Sequence, residues 1–214
     1  MEVADVDQDG DPDVIGADAF IAVWWENIDP NLNWVRHELG ATNQVKDIKA
    51  ADFNQDGKTD LVSREEDRTH LWVQQSNNGF IKANVIGHPV NEGLAVGDLD
   101  RDGDPDLVLN GYWLENPGPN SLPGSWPFHD IDPTWDTQSS VPAWHDNNGV
   151  VELADIDQDG LLDVLLSQSE RPVFLYPGII RKIRIPARGR NMSLSRSSTS
   201  ARIYRRVTWT TMAI

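Results

Sequence analysis

The sequence predicts an all-β fold built from repeated units, and three observations lead to that prediction. One aspartate-rich segment occurs four times, short runs of alternating apolar and polar residues separate the copies, and the apolar spacing of helices is absent. The chain has 214 residues, of which 39% are hydrophobic, which is enough for a packed core. We therefore expect a folded β protein whose architecture follows the repeat.

The repeated segment gives the period of the fold. Its copies are ADVDQDGDPDVIG at 4–16, ADFNQDGKTDLVS at 51–63, GDLDRDGDPDLVLN at 97–110 and ADIDQDGLLDVLLS at 154–167. The copies recur about every 47 residues, except that the third unit contains an insertion. One structural unit of this length is therefore repeated along residues 1–177.

Short predicted strands fill each unit. They read FIAVWWENI, NWVRHELG and VKDIKAAD after the first copy, HLWVQQS, FIKANVIG and EGLAVGD after the second, and GYWLENP, WPFHDI and VVELAD after the third. The apolar run that directly follows each aspartate segment adds one strand, so each unit has four. Four short antiparallel strands per unit of this length predict β-propeller blades.

The aspartate segment predicts a cation site. Carboxylates about 4 Å apart repel one another by roughly 4 kcal/mol at an effective dielectric constant of about 20, so their clustering favours a bound cation. Glycine at the sixth position permits the sharp turn that brings a later ligand back. A cage of protein oxygens favours Ca²⁺ over Mg²⁺. The alternative is a solvated acidic turn that binds nothing.

Loop positions are counted from the first aspartate of each copy. We predict side-chain ligands at positions one, three, five and nine and a backbone carbonyl ligand at position seven. The predicted ligands are Asp5, Asp7, Asp9, Asp11 and Asp13; Asp52, Asn54, Asp56, Lys58 and Asp60; Asp98, Asp100, Asp102, Asp104 and Asp106; and Asp155, Asp157, Asp159, Leu161 and Asp163.

The EF-hand shares the opening of this motif but requires a glutamate at position twelve and a helix after it. A strand-like run follows each of these loops instead. Position twelve is occupied by Gly16, Ser63, Leu109 and Leu166. The sequence therefore favours a calcium loop between strands.

The loop consensus, D-h-[DN]-x-D-G-x-x-D-h-h with h apolar, resembles the calcium loop of FG-GAP and VCBS repeats over residues 1–177. The resemblance implies an integrin-like propeller, usually of seven blades, with calcium between adjacent strands and an extracellular, cell-surface or periplasmic location. About three and a half to four blades cannot close such a ring, so we expect an incomplete ring and a fragment of a longer protein. We interpret MEVAD, residues 1–5, as the last strand of a preceding blade.

Charge divides the chain into two parts. All 34 acidic residues lie in residues 1–177, which disfavours nucleic acid as a partner of this body. The segment 178–214 has no acidic residue and half of the 18 basic ones, and we expect this Ser/Arg-rich tail to be disordered, foreign or frame-shifted. The absence of cysteine excludes thiol chemistry, and neither a signal peptide nor a membrane-spanning apolar run is found in the sequence.

Two histidines are explained by packing within the predicted blades. The segment HELGA at 37–41 lacks the second histidine of a zinc-protease helix, and no catalytic motif is found elsewhere. His37 and His129 occupy equivalent places in their units, so we predict that they pack within their blades.

Nine tryptophans occur in the chain. The insertion at 131–149 carries Trp135, Trp144 and His145, which are candidates for binding a sugar ring, the alternative being that these rings cover a blade edge. We predict inter-blade packing for the other named tryptophans, Trp24, Trp25, Trp34, Trp72, Trp113 and Trp126.

These observations predict a calcium-binding propeller module that serves recognition, adhesion or scaffolding at a carbohydrate or protein surface. The alternative is a fragment of a carbohydrate-active enzyme, such as a polysaccharide lyase or sugar dehydratase built on a propeller. The predicted partners are calcium and a polysaccharide or protein surface.

Overall fold

The computed structural model describes residues 1–18, 20–28, 33–89, 92–131, 149–168 and 179–181, and within these ranges the regular structure is entirely β. The strands are β1 Glu2–Ala4, β2 Asp13–Ala17, β3 Ile21–Asn27, β4 Trp34–Ala41, β5 Asp47–Ala51, β6 Asp60–Arg64, β7 Arg68–Gln74, β8 Phe80–Gly87, β9 Ala95–Gly97, β10 Asp106–Leu109, β11 Tyr112–Leu114, β12 Phe128–Asp130, β13 Gly149–Ala154, β14 Asp163–Gln168 and β15 Ile179–Arg181.

Strands that are neighbours in the sequence are also neighbours in the sheets. β1–β4, β5–β8 and β9–β12 form three four-stranded antiparallel sheets, and β13–β15 form a three-stranded sheet. Each aspartate loop connects the first and second strands of its sheet. The prediction of consecutive four-stranded propeller blades in an incomplete ring is confirmed.

The position of the blade boundary differs from the prediction. β1 pairs with β2 in the register Val3↔Val14, so the strand before a loop begins its own sheet rather than ending the preceding one. The same holds for β5, which pairs with β6 across the second loop. The interpretation of residues 1–5 as the end of a preceding blade was therefore wrong, because a short loop joins the strands on either side into a hairpin.

Apolar side chains fill the space between consecutive sheets. The cluster between the first and second sheets contains Val6, Ile15, Ala22, Trp24, Leu39, Ile48, Leu61 and Trp72. The cluster between the second and third contains Phe53, Val62, Leu71, Leu94, Leu107, Leu109, Tyr112, Leu114, Leu122 and Trp126, and the next contains Ala95, Leu99, Val108, Trp113, Ile131, Val151, Val164 and Leu166. Each inner sheet is therefore apolar on both faces.

Tryptophan burial agrees with the predicted inter-blade packing at four of six positions. Trp24, Trp72, Trp113 and Trp126 are at most 5% exposed. Trp25 is half-buried. Trp34 lies on the outermost strand of the first sheet and is 39% exposed, so its predicted packing was wrong. Edge strands have one side without a neighbouring strand, and the sequence alone does not identify them.

Two predicted features lie wholly or mainly outside the described residues. The insertion residues Trp135, Trp144 and His145 lie in the range 132–148, which the structure does not describe. Of the predicted tail, the structure describes β15, which pairs antiparallel with β14. Within the described ranges, no helix could cross a membrane.

Candidate metal centre

The same hydrogen bond, from a backbone N–H to a side-chain carboxylate, closes all four aspartate loops. The N–H of the glycine at position six donates to Oδ2 of the aspartate at position one, at 2.7–3.1 Å. The loop turns because the residues at positions four and six have positive φ, which is costly for most side chains and free for glycine. The repeated sequence therefore produces a repeated loop geometry.

The aspartate at position nine is the buried anchor of each loop. Asp13, Asp60, Asp106 and Asp163 are at most 3% exposed and are the first residues of the second strands. One carboxylate oxygen accepts the N–H of position two at 2.8–3.1 Å in all four loops. In the first three loops, the other carboxylate oxygen accepts the backbone N–H of Asn27, Gln74 or Asn116 at 2.8–2.9 Å. These donors lie at the C-terminal end of the third strand or just beyond it.

The carboxylates at positions one, three and nine converge in three loops. In each of these loops, one oxygen from each of the three aspartates lies within 4.8 Å of the others. The groups are Asp5, Asp7 and Asp13; Asp98, Asp100 and Asp106; and Asp155, Asp157 and Asp163. Three convergent carboxylates can supply oxygen ligands to one cation.

The second loop has the same hydrogen bonds but less negative charge. Asn54 occupies position three, where its side-chain oxygen accepts the N–H of Asp56 at 3.0 Å. Lys58, at position seven, forms an ion pair of 2.9 Å with Asp56. Burial alone would raise the pKa of Asp56, but its bonds to Lys58 and the nearby ammonium charge lower the pKa below its ordinary value.

Burial makes the anchor carboxylates hard to ionise when no cation is near. It raises the pKa of Asp106 to about 7, and the negative charges of Asp100 and Asp102 add to the increase. Burial likewise raises the pKa of Asp60 to about 6, with Asp56 and Asp52 contributing. A cation among these groups would favour their ionised forms.

The donor set fits a hard cation. Asp5 Oδ1 is buried and, among the described residues, accepts no hydrogen bond, although it belongs to a carboxylate whose other oxygen is bonded to Gly10. Buried oxygens of this kind are costly unless a donor or a cation satisfies them. Carboxylate and carbonyl oxygens are the ligands that Ca²⁺ takes in proteins.

The predicted ligands at positions five and seven make different contacts from those at positions one, three and nine. The carboxylates of Asp9, Asp102 and Asp159 are not members of the three convergent groups. The carboxylate at position five instead accepts the N–H of position seven, at 2.9–3.1 Å in all four loops. The ligand role of position five, and that of the carbonyl at position seven in Asp11, Lys58, Asp104 and Leu161, therefore stay predictions.

Polar contacts between consecutive loops were not predicted from the sequence. Gln74 Nε2 donates to the carbonyl of Val6 at 2.7 Å, and Asn116 Nδ2 donates to that of Phe53 at 3.1 Å. Each bond links the end of a third strand to position two of the loop in the preceding sheet. The available signal was the amide residue at the end of the third strand or just beyond it in the first three sheets, namely Asn27, Gln74 and Asn116.

The two histidines pack within their blades, as predicted. His37 stacks on Trp24 with ring centroids 4.3 Å apart and contacts Glu26 at 2.6 Å. His129 stacks on Trp113 at 4.4 Å and contacts Glu115 at 2.9 Å. Both histidines therefore extend the packing of the outer strands.

Comparisons with known proteins agree with this geometry. Residues 5–63 and 52–109 match the FG-GAP-like repeat, and each match spans two consecutive aspartate loops. The chain is similar to cartilage acidic protein 1 of Xenopus tropicalis, with 27% identity over 146 residues, and to that of Homo sapiens, with 26% identity over 148 residues. Each similarity covers 61% of this chain and 22% of the relative, so the chain spans about a fifth of these relatives' length.

Proposed function

Because the chain belongs to the FG-GAP-like repeat family through residues 5–109, we propose that it is a calcium-binding propeller module that recognises a protein or carbohydrate surface. In this proposal the aspartate loops hold Ca²⁺ and fix the edges of the blades. The blades then present a rigid surface to a partner.

The convergence of three carboxylates within 4.8 Å, found in three loops, is the observation that carries the calcium proposal. Several negative charges held this close repel one another unless a cation neutralises them. In each loop the ligands proposed for the cation come from positions one, three, five and nine, with the carbonyl of position seven. The cation would neutralise the carboxylates and hold the loop between the first two strands of its sheet.

The exposure of the loops favours calcium dissociation constants near the millimolar range. Ca²⁺ sites in extracellular modules commonly bind in the range of about 10⁻⁴–10⁻³ M. Asp9, Asp11 and Asp159 are exposed, so the loops lie at the surface, where water competes as a ligand. The two relatives are named for cartilage and for acidity, and this chain is acidic as well, with a formal charge of −16. We therefore propose an extracellular setting for the module.

Thermal unfolding tests the calcium proposal directly. Ligand that binds only the folded state stabilises it by about 0.4–1.4 kcal/mol per site at one to ten times the dissociation constant, which millimolar calcium supplies here, and the contributions of several sites add. We expect the melting temperature of the full chain to rise by several degrees in millimolar CaCl₂ relative to chelator. Magnesium at the same concentration is the control and should produce a smaller rise. Equal melting temperatures in calcium and chelator would contradict the proposal.

The recognition surface has a candidate within the described residues. An open groove of about 430 Å³ lies between the first two sheets, and its lining includes Arg36, Glu38, Asn77, Asn78 and Phe80. Charged and amide groups beside an aromatic ring suit the hydroxyl groups and apolar faces of sugars.

A glycan array with two variants tests this surface against the insertion. If the groove binds sugar, replacing both Arg36 and Asn78 by Ala should abolish binding, whereas Trp135→Ala with Trp144→Ala should not. The reverse pattern would place binding in the insertion. Retained binding by both folded variants, or no binding by the unaltered chain, would contradict a carbohydrate role for either surface.

A further inference from the structure

A side chain connects each aspartate loop to the next. The residue at position four of one loop donates a hydrogen bond to the carbonyl of the glycine at position six in the following loop. The three bonds run from Gln8 Nε2 to Gly57, from Gln55 Nε2 to Gly103 at 3.2 Å, and from Arg101 Nη2 to Gly160. The four loops are therefore joined in series by one repeated contact.

The donor residue is held within its own loop. Gln8, Gln55 and Arg101 have φ values of 64°, 57° and 64°, in the left-handed region that non-glycine residues seldom adopt. Each lies between the proposed ligands at positions three and five. Any ordering of those two ligands by a cation would therefore also fix the backbone from which the linking side chain extends.

The acceptor glycine is held beside a proposed ligand of the next loop. Gly57 accepts the bond from Gln8 through its carbonyl and donates its own N–H to Oδ2 of Asp52 at 2.8 Å. In the same way, the carbonyl of Gly103 accepts the bond from Gln55, and the N–H of Gly103 donates to Oδ2 of Asp98 at 3.1 Å. The backbone of glycine has unusually wide conformational freedom. A hydrogen bond accepted by its carbonyl therefore restricts the orientation of its own N–H, which positions the carboxylate of the first aspartate.

We propose that the position-four side chains couple cation binding in consecutive loops, so that calcium in one loop raises the calcium affinity of the next. This inference rests on the proposed calcium function. The path runs from the ligands of one loop through the linking side chain and the acceptor glycine to the first aspartate of the following loop. By linkage, calcium in the second of the two loops raises the affinity of the first by the same factor.

Additional bonds strengthen two of these links. Thr59 Oγ1 of the second loop donates to the carbonyl of Asp5 at 3.1 Å, so the first two loops are joined in both directions. Gln55 Nε2 also donates to the Oδ1 of Asp104 in the third loop. The third link differs because Arg101 brings a positive charge to the fourth loop, which opposes a cation there.

Calcium titration of the full chain tests the coupling with a double-mutant cycle. The second loop has less negative charge and we expect it to fill after the third, so the coupling is measured as the calcium affinity of the second loop. Gln55→Met keeps the length of the side chain but removes the donor, and Asp98→Asn weakens the third loop while its side-chain oxygen can still accept the N–H of Gly103. We expect either change to lower the calcium affinity of the second loop about fivefold. The double variant should be no weaker there than the singles, because both interrupt one path.

Gln158→Met is the matched control. Gln158 has the same loop position and a φ of 58°, but within the described part of the chain it makes no bond to another loop. Its substitution should leave the titration unchanged. Arg101→Gln keeps a donor and removes the charge, so the calcium affinity of the fourth loop should increase a few-fold.

The outcomes separate this inference from the proposed function. If the unaltered chain binds calcium but Gln55→Met titrates like Gln158→Met, or if the two changes are additive, the coupling is overturned and the calcium function stands. If the unaltered chain binds no calcium, both are overturned. Melting in chelator checks that each variant folds, and Gln55→Glu, which also lacks the donor, replaces Gln55→Met if that variant does not.

Discussion

The second and third loops have the same hydrogen bonds between backbone N–H groups and side-chain carboxylates but carry different charges. In both, the glycine at position six donates to the first aspartate and the carboxylate at position nine accepts the N–H of position two. The third loop has aspartate at all five odd positions from one to nine. The second has Asn54 and Lys58 at positions three and seven.

This comparison separates what shapes the loop from what attracts a cation. The turn depends on backbone N–H groups, on positive φ at two positions and on one buried carboxylate, and an amide at position three preserves it. The charge at positions three and seven is therefore free to vary without a change of fold. Loops of one shape can consequently differ in calcium affinity, and we expect the second to bind most weakly.

Loss of the buried anchor should produce the largest effect. Asp106→Ala leaves the buried N–H groups of Leu99 and Asn116 without their acceptor, which we expect to lower the free energy of unfolding by about 3 kcal/mol. Urea unfolding in chelator measures this loss without any contribution from calcium. Asp102→Ala, which removes one bond to the N–H of Asp104, is the control and should cost less than about 1 kcal/mol. Equal losses would show that the anchor does not shape the loop.

Exchange of charge between the loops should have an intermediate effect. Asn54→Asp with Lys58→Asp gives the second loop aspartate at the same five odd positions as the third, and we expect its calcium affinity to increase on the order of tenfold. Asp100→Asn with Asp104→Lys makes the converse change and should weaken the third loop. Titration calorimetry measures the calcium affinity of both double variants. Unchanged affinities in both would mean that charge at these positions does not control binding.

The ion pair of the second loop should contribute least. Its two side chains are about one-third exposed, so solvent screens the attraction between Lys58 and Asp56. We expect Asp56→Asn to change the free energy of unfolding in chelator by less than about 0.5 kcal/mol. Asp102→Asn is the control. It removes the equivalent carboxylate from the third loop, where position seven is Asp104 rather than a lysine. A loss of more than 1 kcal/mol in Asp56→Asn alone would contradict this interpretation.

The sequence predicted most of the fold because turns and strands leave strong local signals. The four loops, the strands after them and the places of His37 and His129 follow from spacing and alternation alone. The pairing partner of the strand before each loop did not follow, because a strand can pair with either neighbour and only the closed hairpin decides. The exposure of Trp34 depends on which strand lies at the edge, and the sequence does not show this.

The candidate site was predicted in part for a related reason. Alternating aspartates identify the loop, and positions one, three and nine converge in three of the four copies. The connections made by the position-four side chains escaped prediction because they join residues 48 to 59 positions apart. Position four varies between Gln and Arg, and only the structure shows that both reach the same carbonyl.

The strictly sequential pairing of the strands has a consequence for how the chain acquires its structure. Every strand pairs with one that is close in the sequence, so the contacts within a sheet form by short loop closures and the contact order of each sheet is low. A sheet can therefore assemble soon after its own residues emerge during synthesis. Its apolar faces stay open until the next sheet arrives, so folding advances along the chain one interface at a time, as in other repeat proteins whose units are stabilised by their nearest neighbours.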